Sequence, residues 1–270
     1  MCRKYKFKVQ EKFSRFDWFK LKLVKRLKKH VEVVNLNNHP LPKKCIMIGN
    51  HFAASGPFNY KIFIKHQLDH SFMFWAAWQM HGGFNRRRRY MYNTFYRQKL
   101  GYGRFRSWFL SIITGWATGT LYKTAGTIPV YYDARLKDTF KYSLECLEKG
   151  VSVMIFPENS NDGYKDIITD FYSGYLALTK LHYKRHGEDL PMHILRYEKN
   201  PSKIVIGKAF YYQELAKTYT DSEITQMIID YLNGLKSEFI LPCEQPLITQ
   251  KITTSELLAP IEVDSKIIDE

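Results

Sequence analysis

The sequence predicts an α/β domain with a mixed, largely parallel sheet flanked by helices and preceded by a basic amphipathic helix. Two short apolar runs, Cys45-Ile46-Met47-Ile48 and Val151-Ser152-Val153-Met154-Ile155-Phe156, each lead straight into a polar turn, as buried strands do. A helical pattern at 139–149, stopped by Gly150, joins the strand-like Thr127-Ile128-Pro129-Val130-Tyr131 to the second run, which makes a βαβ unit. The composition, 45% hydrophobic and 25% charged over 270 residues, is that of a globular chain able to bury one core.

Taken in order, residues 1–40 read as an N-terminal arm. Within it Phe13, Phe16, Phe19, Leu23 and Leu27 recur at spacings of three and four, with Arg15, Lys20, Lys22, Lys25, Arg26 and Lys28 between them. Such a basic amphipathic helix can lie among anionic headgroups or pack on its own domain. The turn Asn37-Asn38-His39-Pro40-Leu41-Pro42 ends the arm, and the domain proper is expected over 41–245. After the first strand the aromatic segments 58–66 and 72–80 are expected to be helical. Further on, helices are expected at 171–186 and 223–238, strands at 192–196 and 203–206, and a tail rich in Thr, Ser and acidic residues at 246–270.

Forty-one Lys and Arg against twenty-six Asp and Glu leave a formal charge of +15, which implies an anionic partner. Cys2, Cys45, Cys146 and Cys243 form no CxxC or CxxH pair, so neither a metal site nor a disulfide framework is expected, in keeping with a reducing cytoplasm. The basic N-terminus lacks the apolar core and cleavage site of a secretory signal, so export is not expected. The longest uncharged stretch, 107–122, falls short of the roughly 20 residues that span a bilayer. No transmembrane helix is predicted. Between 84 and 109, Tyr90, Tyr92, Phe95, Tyr96, Tyr102 and Phe105 alternate with arginines. That combination suits single-stranded nucleic acid or a headgroup layer, and the segments described next favour the membrane.

Two segments carry candidate chemistry. Gly49-Asn50-His51-Phe52-Ala53-Ala54-Ser55-Gly56-Pro57 follows a strand, where open α/β sheets place ligands, and a histidine there suits general-base work on a hydroxyl. A lone loop histidine is otherwise more often structural. Phe156-Pro157-Glu158-Asn159-Ser160-Asn161-Asp162-Gly163-Tyr164 makes a turn able to present Glu158 and backbone N–H groups to a polar ligand, with an ordinary capped turn as the plain alternative.

Together these segments resemble the glycerolipid acyltransferase family, whose type member acylates lysophosphatidic acid. The counterparts are Asn50-His51, Gly126-Thr127-Ile128-Pro129-Val130, Phe156-Pro157-Glu158 and Leu190-Pro191, in the family's order, over roughly 41–207, most of the chain. The resemblance implies an α/β fold and transfer of a fatty acyl chain from a thioester of coenzyme A or acyl carrier protein, with no other cofactor. The acceptor would be the hydroxyl of a lysophospholipid or related glycerolipid, at the cytoplasmic face of an anionic membrane. It implies His51 as general base, Glu158 as the acceptor-positioning residue, and Asn50, Ser55, Arg135, Asn159 and Ser160 as substrate contacts. The chain also departs from the family. Gly56 replaces the aspartate that orients the histidine, so a catalytically impaired lipid-binding or scaffold relative is the alternative reading. Asn159-Ser160-Asn161 replace Gly-Thr-Arg, and Tyr132 replaces an arginine, which predicts a changed acceptor.

Overall fold

The computed structural model describes residues 7–11, 31–37, 39–53, 56–68, 70–160, 163–236 and 249–250. They form a single α/β domain around an eight-stranded sheet of order β4-β3-β5-β2-β6-β7-β1-β8. The strands are β1 (Glu32–Asn35), β2 (Ile46–Gly49), β3 (Phe72–Ala77), β4 (Thr127–Val130), β5 (Ser152–Ile155), β6 (Pro191–Glu198), β7 (Lys203–Tyr211) and β8 (Thr249–Gln250). Pairings from β4 through β6 are all parallel; β6 with β7 and β1 with β8 are antiparallel, and β1 with β7 is parallel.

The helices are α1 (Gly56–Phe63), α2 (Phe84–Tyr90), α3 (Arg104–Ala125), α4 (Leu136–Glu148), α5 (Gly174–His186), α6 (Tyr212–Leu215) and α7 (Asp221–Gly234), with a wider π-helix at Met91–Lys99 between α2 and α3. Alternate strand residues feed two cores, which is why β2 and β5 read as unbroken apolar runs rather than alternating ones. Ile46, Ile48, Val153 and Ile155 pack with Leu144, Leu147, Leu176 and Ile228 from α4, α5 and α7 on one face. Met47 and Met154 pack with Phe58, Tyr60, Ile62 and Phe63 from α1 on the other. A small third cluster of Met80, Met91 and Tyr96 holds α2, the π-helix and α3 together.

The predicted fold class is the observed one, with three differences of detail. Residues 72–80, expected to be helical, form β3 and a short 3-10 turn. β3 lies between β5 and β4 with both faces covered, and a strand buried on both sides loses the alternation that separates it from a helix. The second difference is β1, which lies inside the segment read as the arm and pairs with β7. Residues 7–11 also pack on the domain: Phe7 stacks on Tyr142 with centroids 4.4 Å apart, and the Gln10 N–H donates to Met73 Sδ at 3.4 Å. Third, Thr249 pairs with Val34 inside the segment read as a tail. The amphipathic pattern at 12–29 and Ser55 lie outside the described residues. Among the described residues Cys45 and Cys146 are buried and unbridged.

Candidate functional site

The parallel pairing of β2 with β5 sets the site. Ile48 is in register with Ile155, so His51 and Glu158 each stand three residues beyond matched strand partners, at the carboxyl end of the sheet. The approach is close because Gly49 has no side chain. A Cβ there would lie 2.7 Å from Met154 Cε and 3.2 Å from Phe156 Cε1.

Asn50 fastens this corner. Its Nδ2 donates to the Tyr197 carbonyl at 3.0 Å, and its Oδ1 accepts from the Tyr60 hydroxyl at 2.6 Å and the Tyr197 N–H at 2.7 Å. The amide thus binds β6 and α1 and braces this corner of the site. The Tyr60 hydroxyl also reaches the Leu195 carbonyl at 3.1 Å.

His51 emerges past this brace, half-buried. Its ring is parallel to that of Tyr164, with centroids 5.0 Å apart, and meets Phe156 edge-on at 5.5 Å. Nδ1 is buried and makes no hydrogen bond among the described residues, so no carboxylate is seen in the role of the missing aspartate. Burial, with help from the nearby Lys99 ammonium, lowers the His51 pKa to about 4. The imidazole is therefore neutral at physiological pH.

Glu158 is buried at the head of the loop that returns to Phe171, a loop clamped where the Tyr172 N–H donates to the Pro157 carbonyl at 2.8 Å. Neither carboxyl oxygen has a side-chain partner among the described residues. Burial raises its pKa to about 7, and the His51 backbone N–H, Lys99 and Arg196 limit the rise.

Lys99, at the end of the π-helix, completes the group. Its ammonium donates to Ser160 Oγ and lies 5.6 Å from the centre of the Tyr164 ring. Burial lowers its pKa and Glu158 works against that. Gly163, with φ of +103°, lets the returning loop pass beside the Lys99 carbonyl, a conformation side chains rarely adopt. Sequence reasoning missed Lys99, because it lies 61 residues from Ser160 in a polar segment with no local pattern to mark it.

No protein-family model matches the chain, and no curated protein matches it. Among solved structures it is similar to the 1-acyl-sn-glycerophosphate (LPA) acyltransferase, PlsC, from Thermotoga maritima. That likeness has 11% sequence identity and a TM-score of 0.41, over 83% of this chain and 78% of that one. At this identity and score the likeness says nothing of this chain's chemistry, which is read from its own residues.

The remaining predicted residues divide. Glu158 and Asn159 line a cavity of about 70 Å³ with Gly163, Lys165, Ile168, Thr169 and Asp170. Arg135 is elsewhere. It follows β4, three strands from β2, where it is exposed, grips Asp133 with a fork of 2.6–3.2 Å bonds, and covers the rings of Trp78 and Tyr131. The structure does not bring it to His51: its neighbour in sequence satisfies it. Ser160 is engaged by Lys99. Among the described residues no cluster of three His, Cys, Asp or Glu could hold a metal ion.

Proposed function

We propose that this chain transfers an acyl group from a thioester donor, of coenzyme A or acyl carrier protein, to the hydroxyl of a lysophospholipid or related glycerolipid. The observation that carries this reading is the placing of a neutral His51 and a buried Glu158 at the ends of adjacent parallel strands, with the Lys99 ammonium beside both. The four ordered motifs that resemble the glycerolipid acyltransferases support it.

In this reading His51 accepts the proton of the acceptor hydroxyl as its oxygen attacks the thioester carbon. The carbon–sulfur bond then breaks, and the departing thiolate takes that proton from the imidazolium. Glu158, when ionised, accepts a hydrogen bond from a second polar group of the acceptor. Lys99 supplies positive charge for an anionic substrate group or for the developing oxyanion.

A second reading is a lipid-binding relative without turnover, and it is favoured by the His51 Nδ1 having no hydrogen-bond partner among the described residues. A base near pKa 4 is weak, and in other His-carboxylate systems loss of the orienting carboxylate costs about four orders of magnitude in rate. Assay of acyl transfer from acyl-coenzyme A and acyl-carrier-protein donors to lysophospholipids separates the two. Turnover abolished by His51→Ala, with the fold intact, supports the enzyme. No turnover with any donor, alongside lipid binding, establishes the relative.

A further inference from the structure

Helix α3 is built inside out. Its buried face is a row of small residues, Ser107, Ser111, Gly115 and Gly119, packed on α2; a Cβ at Gly115 would lie 3.0 Å from Arg88 Cα, and the Gly115 carbonyl accepts from Arg87 Nε at 2.9 Å. The opposite face carries the large apolar side chains. Phe105 is 82% exposed and Trp116 77%, with Phe109, Ile113 and Trp108 exposed between them. A helix folded for water alone reverses this arrangement. The stripe from 105 to 116 runs about 16 Å along the helix, and the hydroxyls of Ser111, Thr114 and Thr118 are satisfied by carbonyls of their own helix.

Beside the stripe, and sharing Trp108 with it, opens a cleft of about 450 Å³ lined by Asn85, Arg88, Arg89, Tyr92 and Asn93. Not one Asp or Glu occurs between residues 70 and 132. The surface is therefore apolar in the middle and cationic at the rim.

We propose that this face of α2 and α3 is a docking surface for an anionic phospholipid bilayer, with Phe105, Phe109, Ile113 and Trp116 entering the acyl boundary and a headgroup phosphate held in the Arg88–Arg89 cleft. Charge decides among the possible occupants. A second copy of this face is equally cationic, and so is the segment 12–30 of the same chain, whereas lipid phosphates are complementary. Nucleic acid would match the arginines but leaves Ile113 with nothing to stack on. No helix among the described residues is long and apolar enough to cross a membrane. α3, with one face committed to α2, lies along the surface. The inference does not rest on acyl transfer, and His51→Ala is expected to bind vesicles as the unmodified chain does.

Co-sedimentation of the full chain with vesicles of phosphatidylcholine, alone or mixed with phosphatidylglycerol, tests it. The unmodified chain is expected to bind the mixed vesicles best. The double substitution Phe105→Ser/Trp116→Ser is expected to weaken binding roughly tenfold or more, and Arg88→Gln/Arg89→Gln to remove the preference for phosphatidylglycerol. Phe105, Trp116 and Arg89 are exposed and glutamine keeps the stem of the half-buried Arg88, so circular dichroism of both variants should match the parent. Trp116→Phe should keep binding but lose part of the fluorescence quenching by bromine-labelled acyl chains, which places the contact on α3 rather than on another part of the chain. No binding to either vesicle, undiminished binding by the Phe105/Trp116 variant, or arginine-dependent capture of single-stranded RNA without vesicle binding would overturn the proposal.

Discussion

The imidazole of His51 lies parallel to the phenol ring of Tyr164, the planes 5° apart and the centroids separated by 5.0 Å. The stacked ring adds to the burial that disfavours the charged imidazole, and the fold is expected to be acid-sensitive. His51, His81 and His193 are each held near pKa 4 by burial, against an ordinary value of 6.5. Between those values the unfolded chain binds more protons than the folded one. Their contribution is thus whole above pH 6.5 and is lost as pH falls toward 4. For His51 the shift corresponds to on the order of 3 kcal/mol, reduced to roughly 1–2 by its partial exposure. Denaturant unfolding across that range should show His51→Gln losing less stability on acidification than the parent; equal losses would mean that the site is wetter than its packing implies.

Glu158 titrates in the opposite sense. With its pKa raised to about 7 from 4.5, the folded state holds a proton that the unfolded state releases, so stability is fully present below pH 4.5 and declines as pH rises through 7. Glu158→Gln mimics the protonated form. It is expected to be more stable than the parent at pH 8 by roughly 2–3 kcal/mol, nearly equal at pH 5, and poorer in acyl transfer if the carboxylate holds the acceptor. A gain in stability with a loss in activity is the pattern of a group kept for function. Equal stability at both pH values would refute the assigned environment.

Much of this site was legible because its two arms are local. A strand followed by Asn50-His51, and another followed by Pro157-Glu158, are each complete within a dozen residues; their direct pairing was not, because the βαβ unit in the sequence links β4 to β5, which β3 separates in the sheet. What was illegible is what arrives from a distance. Lys99 comes from a π-helix inserted between β3 and β4, and Tyr164 reaches His51 only because its loop is pinned at Phe171. Asn50 was visible as a residue but not as a brace, since its partners Tyr60 and Tyr197 are set by tertiary packing. Arg135 is the converse case: its partner Asp133 is two residues away, and the pair sits beyond β4 rather than beside His51.

The brace gives its own prediction. Asn50→Ala removes the side-chain partner of the Tyr197 N–H and carbonyl in a buried corner and leaves the Tyr60 hydroxyl only the Leu195 carbonyl. Each unpaired buried group costs about 1–3 kcal/mol, so a total loss of roughly 2–4 kcal/mol is expected, read as a lower urea midpoint with the slope unchanged. Asn50→Asp keeps the acceptor for Tyr60 and Tyr197 N–H and loses only the donor, so it should fall between. An alanine variant as stable as the parent would show that water replaces the amide.

Lys99 affects two titrations at once. Its ammonium opposes a proton on His51 and favours the ionised form of Glu158, so it lowers both pKa values. Lys99→Met should raise both: His51 above about 4, followed by NMR of its ring nuclei, and Glu158 above about 7, followed as the pH at which the decline in stability levels off. Lys99→Arg keeps the charge and should leave both near the parent values. If Lys99 merely tethers the loop through Ser160, the methionine variant will be less stable with both midpoints unmoved. Movement of both in the same direction, reversed by arginine, would establish that the lysine sets the protonation of the pair, and the pH dependence of any acyl transfer should move with them.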